Sequence, residues 1–423
     1  RDKAIRQGGG VREGLSVGHR LWRLLPAGLR RAGLGAVAGA LSPRKSGAPA
    51  RSHGVLVAGE IAAPTGMGEA ARSWGDGVAA LGVATQLVPL RIGGRAPALP
   101  MPGAALILAV NAPSIPLMLA RAGRDFLAGR HVIGAMAWEL PVAPHSWARA
   151  AGQVHEVWAC SRFAAASLAP LFAQRVTAVP FPLGLLDRPA PLRDRAAFGL
   201  PAGVVVTLMV FSLGSSFSRK NPLAAIRAFQ AAFGGDPSQL LVVKYSGAAA
   251  YPAHAARIAA FAGPNILILS GAWAPARVQG LIACADIVLS LHRSEGFGLV
   301  LAEAMLMGVP VIATGWSGNM DFMDGHSAAL VGCDLIAVQD EAGLYRHLPA
   351  ARWAAPDEAQ AADHLRRLGA DAAARRVLGQ AGRAFAARAL DGAALREALL
   401  AAGIDAGIDA GIDSGIDSGI DAD

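Results

Sequence analysis

Between Ser294 and Glu303 the chain reads SEGFGLVLAE, which sets two carboxylates, Glu295 and Glu303, eight residues apart around a glycine-flanked Phe297. The preceding run Asp286 to Leu291 (DIVLSL) reads as a buried strand, so HRSEGFG is a strand-to-helix loop and Glu303 falls on the helix that follows. Around Gly296, Phe297 and Gly298 the backbone then offers N–H groups at a helix start, where an anion binds well. Eight helical residues span roughly 12 Å, about the distance between the hexose and the ribose of a nucleotide sugar. The plainer alternative makes Glu295 a carboxylate that satisfies a helix dipole and Glu303 a surface residue. Against it, Glu303 lies in VLAEAMLMGVPVI, an otherwise apolar run where an unpaired charge is costly.

A second candidate is Ser212 to Pro222, SLGSSFSRKNP, which closes an apolar strand and opens a helix. Arg219 and Lys220 stand together near a helix start, a poor place for two cations on stability alone. A bound diphosphate resolves that conflict, and a solvated basic turn is the alternative. The third, Thr65 to Ala71 (TGMGEAA), follows the first strand and fits G-x-G-x-x-A. Gly66 and Gly68 there admit a phosphate or sugar at a helix N-terminus, or simply permit a tight turn. A dinucleotide site also needs an acid near the end of the second strand to hold the ribose. From Gly77 through Arg121 no Asp or Glu occurs, which argues against a nicotinamide dehydrogenase.

The elements that must position these residues alternate regularly. Apolar runs without polar alternation, suited to parallel strands covered on both faces, occur at Gly54–Ala58, Gln86–Leu90, Ala104–Val110, His131–Met136, Glu156–Ala159 and Arg175–Pro180. The second half repeats the style at Val204–Phe211, Gln239–Tyr245, Asn265–Ser270, Asp286–Leu291 and Val309–Thr314. Helical periods lie between them, such as NPLAAIRAFQAAF from Asn221, with Pro222 suited to the first helical position. Two doubly wound α/β domains follow, residues 51–190 and 191–385, joined by the proline-rich Leu185 to Asp194.

With 423 residues and 53% apolar content the chain can bury two large cores. Its formal charge of +8 sits entirely in residues 1–50, which hold ten Arg or Lys and two Asp or Glu; the remainder has 29 of each sign. The basic character therefore belongs to an N-terminal extension and gives no sign of a nucleic-acid face. Ser16 to Gly39 mixes Arg with Leu and Trp, which suits either peripheral contact with an anionic bilayer through residues 16–40 or a poorly ordered leader. Cys160, Cys284 and Cys333 lie far apart, without disulfide or zinc spacing, and fit a reducing cytoplasm. No run is long and apolar enough to span a membrane. Residues 403–423 repeat GID[AS]; glycine at every fourth position opposes helix, and the segment reads as disordered.

Taken together, SEGFGLVLAEAMLMGVPVIAT resembles the E-x7-E segment of retaining glycosyltransferase family 4, whose members have the GT-B fold. FSLGSSFSRKNPLAAIRAFQAAF and TGWSGNMDFM extend the resemblance, and MAWELP, EVWACSRFAA and RWAAPD are similar to a subgroup of that family. It covers residues 54 to 390 or so. The resemblance implies two Rossmann-like domains facing a cleft, with a C-terminal helix, residues 386–402, crossing back to the first.

It also implies roles. Glu295 would contact donor-sugar hydroxyls and Glu303 the nucleotide ribose. Lys220 would bind the departing diphosphate, with Arg219 and Ser216 in support and backbone N–H groups from Gly296, Phe297, Gly298 and Leu299 assisting. Lys244 joins the donor-binding set, while Gly66, Gly68, Trp138 and Glu139 fall on the acceptor side, Trp138 being equally suited to the core. Fixed donors aimed at the phosphate would stabilise the leaving group without a metal or other cofactor. Two departures stand out. Asn111 occupies the position where many members carry His, and it cannot titrate near neutral pH. Gly214 stands where a second cation is usual, for which Ser215, Ser216 or Arg219 could substitute. The expectation is a cytoplasmic retaining hexosyltransferase, using a nucleotide diphosphate sugar and a glycan or lipid-linked acceptor in surface polysaccharide or glycolipid synthesis. The alternative is a catalytically silent GT-B domain that binds a nucleotide sugar or a protein partner. Glu295→Ala is expected to abolish transfer with modest effect on folding.

Overall fold

The computed structural model describes residues 37–62, 66–91, 97–120, 122–186 and 191–405. The six apolar runs of the first half form β2 (Val55–Gly59), β3 (Thr85–Pro89), β4 (Ala105–Ala109), β5 (Val132–Met136), β6 (Glu156–Ala159) and β7 (Val176–Ala178), preceded by a short β1 (Ser52–His53) that the sequence pattern did not indicate. The five of the second form β8 (Val205–Ser212), β9 (Gln239–Ser246), β10 (Ile266–Ser270), β11 (Ile287–Ser290) and β12 (Val311–Thr314), and a strand outside the predicted runs, β13 (Ala329–Val331), completes the sheet. Every residue of β2, β4, β5 and β6 is buried, because helices cover both faces of their sheet; this is why these strands show no polar alternation.

Two six-stranded, all-parallel sheets result, in the orders β3-β2-β4-β5-β6-β7 and β10-β9-β8-β11-β12-β13. In each sheet the strand order reverses once, between β2 and β4 in the first and between β8 and β11 in the second. At such a switch point the loops leaving the carboxyl ends of the two strands diverge to opposite faces and open a crevice. An antiparallel hairpin, β14 (Cys333–Ala337) and β15 (Arg352–Pro356), also emerges from the second domain and contains the RWAAP stretch.

The terminal segments are tied more firmly than their composition suggested. Of the basic extension, residues 1–36 lie outside the described residues, and with them nearly all of the stretch considered for membrane contact. Residues 42–46 are packed on the first domain: Lys45 N donates to Gly152 O at 2.9 Å, and Gln153 and His155 bond to Ser42 Oγ and Ser46 O at 3.0 and 2.7 Å. The repeat tail does not begin as disorder. Ile404–Asp405 form β16, parallel to β1, and Ile404 is fully buried, so the first repeat finds an apolar partner that no local pattern announces. Residues 406–423 are outside the described set.

The crossing predicted as one helix over 386–402 is two. Helix Ala372–Ala389 packs on the second domain against Leu299–Leu306, and helix Ala393–Ala401 leads into β16 on the first. Gly184 N–H pins the turn between them by donating to Leu390 O at 2.9 Å. Among the described residues no helix is long and apolar enough to cross a membrane.

Candidate active site

Both switch points open onto one cleft of about 520 Å³ between the domains. The loop after β2 brings Gly66 to it and the loop after β4 brings Asn111; across the gap, the loop after β8 brings Lys220 and the loop after β11 brings Glu295. Lys244, at the end of β9, and Glu303 also line it. Within each sheet the loops converge because parallel strands place their carboxyl ends on one edge, and the facing of the two sheets' edges across the cleft brings together residues as far apart as Gly66 and Glu295.

The cation segment is built by local capping. Ser216 adopts a positive φ of 66°, and its Oγ accepts from Arg219 N at 3.2 Å, capping the single turn Phe217–Lys220. Asn221, also left-handed, ends that turn and donates Nδ2–H to Leu291 O at 2.9 Å, after which Pro222 opens the next helix. Ser216 additionally donates to Asp340 Oδ1 at 2.7 Å, so its hydroxyl is spent on the fold, and it is Ser215 that lines the cleft.

Glu295 is 8% exposed and faces both cations. Its Oε1 pairs with Lys220 Nζ, and its Oε2 accepts from Arg219 Nη1 at 3.3 Å. Burial opposes ionisation, but Lys220 and Arg219, with a contribution from His292, hold the carboxyl at about 2. Lys220 is pulled below its ordinary value by burial and by Arg219, with Glu295 opposing. The loop is fixed from behind by TGWSGNMDFM: Glu295 N–H donates to Ser317 Oγ at 2.8 Å and Gly318 N–H to Glu295 O at 2.9 Å. A Cβ on Gly318 would lie 2.1 Å from Gly296 O, so only glycine allows this approach. Gly298, at φ 102°, turns the chain into helix Leu299–Leu306. On that helix Glu303 accepts from Gln279 Nε2 at 2.9 Å, which offsets the burial cost foreseen for this charge. Gly296, Phe297, Gly298 and Leu299 all line the cleft.

Lys244 is 3% exposed and, among the described residues, meets no carboxylate. Its Nζ donates to Gly271 O at 2.6 Å and Tyr245 O at 3.1 Å and lies 4.5 Å from the Trp273 ring centroid. Burial, aided by Arg277, lowers its pKa to about 8.

On the first domain, Asn111 borders the cleft while its Oδ1 accepts from Ala137 N at 2.9 Å, leaving the amide N–H2 as the group free to turn toward a ligand. Gly66 lines the cleft, but Gly68 is buried inside the helix Gly66–Ala80 and does not. Trp138 is core: it is buried, donates Nε1–H to Val142 O at 3.0 Å and packs edge-on to Trp147. Glu139 does reach the cleft. Sequence reasoning missed Tyr345, whose hydroxyl donates to Glu139 Oε1 at 2.6 Å, and the Gln279 support of Glu303. Tyr345 sits in a stretch with no periodic pattern, so only the hairpin geometry brings it here. Gln279 could have been suspected as an amide on the face of a largely apolar helix.

Two Rossmann-like domains with their switch points facing across a cleft define the GT-B class of fold. Solved structures agree: HepE of Anabaena, in complex with UDP and glucose, matches at TM-score 0.57 and 14% identity, over 82% of this chain and 98% of that one. Sucrose-phosphate synthase of Thermosynechococcus elongatus matches at 0.57 and 17%, and WaaG, a glycosyltransferase involved in lipopolysaccharide biosynthesis, at 0.56 and 17%, both with the same coverage. At these identities the likeness is one of fold. The chain spans about half, 54% and 56%, of two longer chains it also matches. No curated protein sequence matches it. Residues 187–390 match the family model described as Family 4 Glycosyltransferase in conflict systems. This second half, which carries both glutamates and both cations, is similar to the family 4 glycosyltransferases.

Proposed function

We propose that this glycosyltransferase moves a hexose from a nucleotide diphosphate sugar to a glycan or lipid-linked acceptor with retention of configuration. The observation that carries the reading is the buried Lys220–Glu295–Arg219 cluster at the second switch point, with Glu303 further along the same cleft. The donor would lie along the carboxyl edge of the second sheet. Glu295 holds the sugar hydroxyls, Glu303 the ribose, and Lys220 with the backbone N–H groups of the Gly296–Leu299 stretch holds the diphosphate.

As the bond between the anomeric carbon and the phosphate oxygen breaks, negative charge builds on the diphosphate. Lys220, half-buried in the cleft and held by Glu295, stabilises that charge more than it stabilises the intact donor. An acceptor hydroxyl on the same face forms the new bond to the anomeric carbon, and its proton passes to the departing phosphate oxygen. Asn111, which lines the cleft and has a side chain that does not titrate, orients a hydroxyl rather than accepting a proton. The complex of HepE with UDP and glucose, and the part WaaG plays in lipopolysaccharide biosynthesis, support the donor class and a surface-glycan acceptor.

A thermal-shift screen against UDP-, GDP- and ADP-sugars tests this, since a ligand raises the melting temperature only by binding the native state preferentially. One donor class should raise it by several degrees, and Lys220→Ala should abolish the shift. Absence of any shift would favour a silent GT-B domain.

A further inference from the structure

The ion cluster around Glu295 does not end within the second domain. Arg219, 6% exposed, donates Nη1–H to Ser294 O at 2.7 Å as well as to Glu295, and Nη2–H to Ser215 O at 2.8 Å. Its Nε is buried, has no hydrogen-bond partner among the described residues, and faces Glu139 Oε1 at 3.7 Å. Glu139 belongs to the first domain, in the segment after β5. The same Oε1 accepts the hydroxyl of Tyr345, which is 5% exposed and comes from the second domain between β14 and β15. The main chain is locked at the same place: Ser294 Oγ donates to Glu139 O, and a Cβ on Gly296 would lie 3.0 Å from Trp138 O.

Charge explains why both domains are needed. Within the second domain alone, two cations, the buried Arg219 and the half-buried Lys220, face the single carboxylate of Glu295. Glu139 supplies the second anion, so the cluster is balanced only with the first domain in place. Both cations line the cleft, but Arg219 has its terminal nitrogens engaged on protein groups, whereas Lys220 Nζ bonds, among the described residues, to Glu295 alone. The geometry of Arg219 is that of a brace for Glu295 and not of a phosphate ligand.

We propose that Glu139 and Tyr345 are positioning residues for the donor site: Tyr345 orients Glu139, Glu139 fixes the Arg219 guanidinium across the cleft, and Arg219 fixes the Glu295 carboxylate beside Lys220. This rests on the reading of Glu295 as a donor-sugar contact. It also takes Glu139 away from direct acceptor contact, the role its place in MAWELP first suggested.

The test uses the full chain with Glu139→Gln, Tyr345→Phe and the double variant, read in two ways. Hydrogen exchange needs no substrate. In each single variant, amides of residues 215–220 and 293–297 should exchange about tenfold faster or more, with β2 and β4 unchanged, and the double variant should go no further than Glu139→Gln. Wild-type exchange in both segments overturns the proposal whether or not the protein is an active transferase. With UDP-glucose as probe, hydrolysis without acceptor and transfer to acceptor should fall by the same factor, about tenfold or more, while UDP affinity stays within about twofold. Intact hydrolysis with a raised acceptor KM would instead make Glu139 an acceptor contact and overturn the proposal. If wild type neither binds nor turns over UDP-glucose, it is the donor assignment that fails, and exchange still decides the positioning role.

Discussion

Replacing Glu295 by Gln keeps the shape of the side chain and removes one charge from the buried cluster. The folded carboxyl stands at about 2 against an ordinary 4.5. That difference corresponds to roughly 3 kcal/mol of extra stability whenever the group is ionised in both states. Because the folded value is depressed, this contribution is complete above about pH 5 and fades as pH falls from 4.5 toward 2. Glu295→Gln should therefore lower unfolding stability by about 3 kcal/mol at pH 7, in the range for breaking a buried pair and well beyond an exposed one. Urea unfolding followed by tryptophan fluorescence at pH 7, 5 and 3 measures it. The gap between wild type and variant should persist from pH 7 to 5 and shrink at pH 3. Equal midpoints at pH 7, or a gap that widens in acid, would refute the charge-balance reasoning. The burial of Glu295 also revises the expectation of modest folding cost for Glu295→Ala, since truncation leaves Arg219 and Lys220 with Glu139 alone.

Glu303→Gln should weaken UDP binding about tenfold by calorimetry, as a charged acceptor for the ribose hydroxyls becomes neutral, with an unchanged melting temperature for the free protein. Lys244, with a pKa near 8, should lose its charge as pH rises from 7 to 9; nucleotide diphosphate affinity falls over that window in wild type, and the fall disappears in Lys244→Met. Gly318→Ala forces a Cβ into contact with Gly296 O and should cost about 3 kcal/mol or more, displacing the Glu295 loop; wild-type stability and donor binding would contradict that packing account.

Much of the donor half was legible in sequence because its signals are local. Strand-to-helix loops carry Lys220, Glu295 and the glycines within a few residues of strands that announce themselves as apolar runs, and the helix after Gly298 fixes the side of Glu303. The predicted strands stand within a residue or two of those observed. What sequence missed is what depends on distant partners. Ile404 reads as part of a polar repeat until β1 is beside it. Tyr345 has no periodic context. Trp138 and Ser216 look available for ligands, and only their hydrogen bonds to Val142 and Asp340 show them spent on the fold.

Residue order was enough to establish two parallel doubly wound domains, the loops that carry the chemistry, and the identity of the charges on them, since apolar runs, glycines and caps act over a few residues. Which of those charges meet is settled only in three dimensions. Strand order sets the switch points that bring the loops after β8 and β11 together, and the closure of the two domains brings Glu139 to Arg219. Burial then turns two glutamates and two cations into one balanced cluster, because charges removed from water must find their counter-charges within the protein.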